Sequence, residues 1–66
     1  MMIKRKYLYV TYYSGNTEDE KGKQVELAIN EWIDELGIVP DDIISIQDVE
    51  DLKDQSFNVS IYYKAK

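Results

Sequence analysis

Residues 56 to 64 read Ser-Phe-Asn-Val-Ser-Ile-Tyr-Tyr-Lys, and Phe57, Val59, Ile61 and Tyr63 alternate with Asn58, Ser60 and Tyr62. Successive side chains of a strand point to opposite faces, so this spacing predicts a β-strand with one apolar side. Its alternation is the cleanest in the chain, which argues for the middle of a sheet. An acidic loop, residues 50 to 55, leads back to a second predicted strand, Ile43 to Val49. There Ile44 and Ile46 share one side, Ser45 and Gln47 the other. The two strands make a hairpin.

Upstream, Pro40-Asp41-Asp42 reads as a turn. Before it, Val25, Ala28, Ile29, Trp32, Ile33 and Leu36 recur at the spacing of an amphipathic helix. Thr17 followed by Glu20 has the spacing of a capping box, with Asn16 a second cap candidate. Glu18, Asp19 and Glu20 suit the positive end of the helix dipole. Gly22 weakens the first turn by ~1 kcal/mol relative to alanine. Gly37 is a natural stop and Pro40 forbids simple continuation. The helix is therefore placed at residues 18 to 36.

Residues 3 to 13 complete the chain as a first strand, rich in tyrosine, valine and threonine. Leu8, Val10 and Tyr12 share one side; Tyr7, Tyr9, Thr11 and Tyr13 share the other. The expected fold class is α+β, in the order β-α-β-β, as a single domain over residues 1 to 66. The β-α-β unit should cross over in the right-handed sense. The sheet is a three-stranded mixed sheet of order 1-3-2, with strand 1 antiparallel to strand 3. The helix should cover one face, placing Leu8, Val10, Tyr12, Ile44, Ile46, Phe57, Val59 and Ile61 against Val25, Ala28, Ile29, Trp32 and Leu36. The other face stays open and carries Tyr7, Tyr9, Thr11, Tyr13, Ser45, Gln47, Asn58, Ser60 and Tyr62.

Charge follows the same division. The 13 acidic residues all lie between Glu18 and Asp54, while Lys4, Arg5, Lys6, Lys64 and Lys66 sit at the two ends. Antiparallel pairing of strands 1 and 3 would gather those basic residues into one corner. Net charge is −5, so nucleic acid is repelled except where a local basic patch overrides the whole. The chain is short enough to bury only ~60% of its unfolded surface, and its stability should be modest. It has no cysteine and no histidine, which removes disulfides, thiolate metal ligands and the commonest general base. No apolar stretch is long enough for a signal peptide or membrane span. A cytoplasmic, non-catalytic protein without cofactor or metal is expected.

The open tyrosine face is the strongest candidate site. Tyrosine is rigid, amphipathic and enriched at interfaces. Tyr7, Tyr9, Tyr13 and Tyr62, with Lys4, Arg5, Lys6 and Lys64, are the candidate partner-binding residues. Self-association across this face or an open strand edge is one such contact. The plainer reading is that tyrosine favours strands. Tyrosine beside basic residues is also the composition of a single-strand nucleic-acid platform.

Other motifs point less far. Ser14-Gly15-Asn16-Thr17-Glu18 resembles the phosphate loop of flavodoxins. Yet the chain is under half the length such a fold requires, and Glu18, Asp19 and Glu20 would repel phosphate. An ordinary capped turn is expected. Asp48, Glu50, Asp51 and Asp54 lack the spacing of a calcium loop and read as a solvated hairpin. Glu18, Asp19, Glu26, Glu31, Asp34 and Glu35 read as a solvated helix face. The sharper alternative is a row of charge that mimics DNA and blocks a nucleic-acid enzyme.

The acidic helix, the stretch Asp42-Ile43-Ile44-Ser45-Ile46-Gln47-Asp48-Val49 and the stretch Phe57-Asn58-Val59-Ser60-Ile61-Tyr62-Tyr63-Lys64 together resemble a family of small acidic sporulation-associated proteins of Bacillus and related bacteria. The likeness covers mainly the second half; the tyrosine-rich first strand departs from it. It implies a bacterial or phage source and supplies no mechanism. The expectation is a small protein-interaction module or adaptor. The alternative is a nucleic-acid-linked role, as a DNA mimic or a weak single-strand binder.

Overall fold

A computed structural model describes residues 2–65. The elements run β1 (Met2–Thr11), α1 (Glu18–Leu36), a 3-10 turn (Pro40–Asp42), β2 (Ile43–Asp51) and β3 (Ser56–Ala65). The sheet order is β1-β3-β2, with β3 central as its alternation implies. Both ladders are antiparallel. β1 and β2 therefore run in the same direction but never pair, and the sheet is antiparallel throughout rather than mixed.

The helix begins where its cap chemistry dictates. The Thr17 hydroxyl accepts from the Glu20 amide at 3.2 Å, and the Glu20 carboxylate accepts from the Thr17 amide at 3.0 Å. Both bonds satisfy amides that a helix start leaves free. They also hold the Glu20 carboxyl below its usual range, the Thr17 backbone amide contributing most. At the other end Gly37 takes φ 63°, and its amide reaches the Ile33 carbonyl. Only glycine adopts this left-handed geometry without penalty. Proline then starts the 3-10 turn, where its missing amide costs nothing.

The core lies between α1 and the sheet. Val10, Tyr12, Val25, Trp32, Phe57, Val59 and Ile61 are buried, with Leu8, Ala28, Ile29, Ile33, Ile38, Ile43 and Tyr63 partly buried around them. Trp32 meets Tyr63 edge-on at 4.9 Å between ring centroids, and Tyr12 tilts against Phe57 at 5.5 Å. Such arrangements match the aromatic quadrupole.

Three expected core residues lie outside. Leu36 is exposed in the last helical turn; Ile33 and Ile38 pack there instead. The pairing of β2 with β3 shifts register between Ile43 and Ser45. That bulge makes Ile43 the inward residue and leaves Ile44 48% exposed. Ile46 pairs with the buried Ile61 and so faces the helix side, yet it is 44% exposed. A helix ~10 Å wide spans about two strands at ~4.8 Å spacing, and β2 is the strand left over.

Candidate interaction surface

Residues directly opposite one another in a ladder share a face. The register pairs Arg5 with Tyr62, Tyr7 with Ser60 and Tyr9 with Asn58. It also pairs Ser45 with Tyr62, Gln47 with Ser60 and Val49 with Asn58. These residues form the face away from α1. Ile3 and Lys64, themselves paired, extend it at one end. Ile3, Tyr7, Tyr9 and Val49 are exposed on this face.

Two of the tyrosine rings there, Tyr7 and Tyr9, are tied at their tips. The Tyr7 hydroxyl donates to the Asn58 side-chain oxygen, and the Tyr9 hydroxyl donates to the Asp54 carboxylate. The Ser56 hydroxyl donates to the same Asp54 oxygen at 3.0 Å, and Ser56 is fully buried. The Tyr9 bond is the main reason the Asp54 carboxyl lies below its usual range, and the bond to Asp54 in turn pushes the Tyr9 phenol up. Arg5 donates twice to the Ser60 hydroxyl, at 3.0 and 3.3 Å, and its guanidinium lies 6.0 Å from the Tyr7 ring centre. Tyr7 and Tyr9 stay 47% and 53% exposed despite these ties.

Asp54 reaches the face because the hairpin turn is built for it. The Asp51 carboxylate accepts from the amides of Lys53 and Asp54, at 3.1 and 3.2 Å. Gln55 closes the turn at φ 53°, a left-handed conformation uncommon outside glycine. Its carbonyl accepts the Tyr12 amide at 3.1 Å. The four acids of this stretch disperse: Asp51 caps the turn, Asp54 holds Tyr9, and Asp48 and Glu50, opposite Val59 and Phe57, lie on the helix side. Among the described residues no three of His, Cys, Asp or Glu converge to hold a metal ion.

On the helix side a matching bond is enclosed. The Tyr12 hydroxyl donates to Glu50 at 2.5 Å, and Lys21 Nζ lies 3.3 Å from the same carboxylate oxygen and 3.2 Å from Glu18. The ammonium also sits 4.5 Å from the Tyr12 ring centre. The Tyr12 bond, then Lys21, hold Glu50 low; Glu50 raises Tyr12, and Glu18, with Glu50 after it, raises Lys21.

The eight candidate residues do not form one patch. Tyr7, Tyr9, Tyr62, Arg5 and Lys64 share the open face. Tyr13 does not: β1 ends at Thr11, and Tyr13 lies in the following turn, 81% exposed, with its amide on Asn16. Lys4 pairs with Tyr63 and Lys6 with Ile61, so both belong to the helix side of the same corner. Alternation splits any run of consecutive residues in this way. Lys66 lies outside the described residues. Sequence reasoning placed Asn58 and Ser60 on the face but missed Asp54, whose arrival depends on the turn. It also missed Val49, whose two-residue offset from Gln47 carried the signal.

The two sheet edges differ. Both edges carry charge, Asp48, Glu50 and Asp51 on β2 and Lys4, Arg5 and Lys6 on β1, but only β2 carries a bulge, a device that discourages strand addition. β1 pairs with β3 without interruption from Met2 to Thr11, and its outer side is unpaired. Among the described residues no helix is long and apolar enough to cross a membrane. Comparison with protein-family models, curated proteins and solved structures finds no match to this chain.

Proposed function

We propose that this chain is a small, non-catalytic interaction module of bacterial or phage origin that binds protein through the open face of its sheet. The observation that carries this reading is the state of Tyr7 and Tyr9. Both rings are about half exposed, yet both hydroxyls are already bonded to neighbours on the sheet. A ring held in place loses little conformational freedom when a partner covers it. The exposed Ile3 and Val49 on the same face add apolar area to that contact. The likeness of the second half to the sporulation-associated family supports a bacterial source, and a chain without cysteine fits a cytoplasmic setting.

The test is photo-crosslinking in a nuclease-treated lysate of the source organism. A photoreactive phenylalanine analogue replaces Tyr9 or Tyr62 in one pair of variants, and Glu26 or Asp34 on the outer helix in another. Discrete protein adducts from the sheet positions, absent from the helix positions, are the expected result. Adducts chiefly from the helix to a nucleic-acid enzyme would favour the DNA-mimic alternative. Adducts from neither surface would remove the interaction reading.

A further inference from the structure

We infer that the partner met by the β1 edge is a second copy of this chain, added antiparallel about a two-fold axis at Tyr7; this rests on the interaction reading above and specifies one partner. The argument begins with the backbone. Tyr12 gives its amide to Gln55 across the β1–β3 junction, so by alternation the even-numbered residues of β1 bond to β3. The amides and carbonyls of Ile3, Arg5, Tyr7, Tyr9 and Thr11 then face the free edge. An antiparallel partner strand must present outward-facing residues in the same phase. With that restriction, two registers overlap almost the whole of β1. One sets Lys6 against Lys6 of the second copy, a like-charge contact. The other sets Tyr7 against Tyr7.

The Tyr7 register avoids that contact and brings opposite charges together on the helix side. On the open face Arg5 comes opposite Tyr9 of the other copy, whose hydroxyl is already held by the Asp54 carboxylate. On the helix side Lys4 comes opposite Val10 and Lys6 opposite Leu8. There α1 and β1 form a groove whose lining includes Leu27, Ala28 and Glu31 of the helix and Tyr9, Val10 and Thr11 of the strand side. Leu27, 57% exposed, and Glu31 match the apolar stem and charged head of an incoming Lys4. β1 carries only positive charge in an otherwise acidic chain. Antiparallel addition sets each basic half against the other copy's apolar half and its Glu31. Two copies would share a six-stranded sheet with one continuous tyrosine face.

The test is the mass of the native protein by sedimentation and light scattering over a concentration series. A dimer is expected. Tyr7→Pro removes an amide that faces the edge rather than β3, a position where an edge strand tolerates proline. It should leave the circular dichroism native and give a monomer. Glu31→Lys should weaken the dimer roughly tenfold, since two-fold symmetry counts each charge pair twice. Lys4→Glu combined with Glu31→Lys should restore it, which a change in fold alone would not do. Asp48→Lys on the other edge should leave the dimer unchanged.

A monomer at every concentration would overturn this inference. So would a dimer indifferent to Tyr7→Pro, or one broken equally by Asp48→Lys. A monomer that still forms crosslinks to another protein from Tyr9 or Tyr62 would sink the dimer and leave the interaction reading standing.

Discussion

Tyr12 and Tyr9 make the same bond on opposite faces of one sheet. Each phenol donates to a carboxylate near the hairpin, Glu50 for Tyr12 and Asp54 for Tyr9. Tyr12 is buried and its acid is neutralised by Lys21; Tyr9 is half exposed and its acid bonds only to hydroxyls. The helix-side bond is part-buried, and Lys21 of α1 bonds the same Glu50 oxygen, so this cluster contributes to holding α1 on the sheet. The open-face bond orders a ring that nothing in the fold covers. Similar chemistry holds elements together on one side and orders an uncovered ring on the other.

The largest effects should come from breaking the covered side. Ile61 is fully buried under α1. Ile61→Ala should cost about 2–5 kcal/mol from lost burial and the cavity left behind, much of the total stability of so small a domain. Val49→Ala on the open face should change stability by less than about 0.5 kcal/mol. Denaturant unfolding followed by the fluorescence of Trp32, the only tryptophan, compares the two directly. Equal losses would mean that the open face belongs to the fold rather than to a partner.

Acid should separate the faces more finely. Glu50 and Asp54 both have lowered pKa values in the folded chain. Their contribution is fully present above the ordinary carboxylate range, roughly pH 4, and is lost as pH falls through the lowered folded values. Tyr9, Tyr12 and Lys21 are shifted up. Their contribution is present below roughly pH 10 and is lost as pH rises through the raised values. Stability should therefore be flat across neutral pH and fall at both ends. Melting temperatures from pH 3 to 7 should show Glu50→Gln removing more of the acid slope than Asp54→Asn, because Glu50 also answers Lys21. The reverse order would place the stronger linkage on the open face.

Much of this architecture was legible because local signals agreed. Thr17, Glu20 and Gly37 fixed the helix ends through bonds that span a few residues. The alternation around Val59 fixed the central strand, and with it the order 1-3-2 and the split between Tyr12 and Tyr9. Ile44 was misplaced because a bulge is one extra residue whose position depends on the partner strand, which periodicity within β2 cannot report. Ile46 had the right face but too narrow a roof, a matter of how far one helix reaches. The Lys4-Arg5-Lys6 run looked like one basic corner until strand alternation divided it between two faces. Asp54 and Glu50 looked equivalent in sequence. The turn at Asp51 and Gln55 sends one to Tyr9, and the strand sends the other to Lys21.

The smallest expected effect bears most directly on why the open face is ordered. Tyr9→Phe keeps the ring and removes only its bond to Asp54. Tyr9 is exposed, so its hydroxyl has water as an alternative partner, and the folded state loses little. The melting temperature should stay close to that of the parent chain. The ring, however, is no longer tied to Asp54, and any contact that covers it must now supply the ordering itself. Dimerisation or crosslinked partner yield should therefore fall by a few-fold while stability holds, measured by titration on the same preparation. A fall in both together would make the Tyr9–Asp54 bond a strut of the hairpin. A fall in neither would mean that the ring is ordered by the sheet without its hydroxyl, and the contrast with Tyr12 would then rest on burial alone.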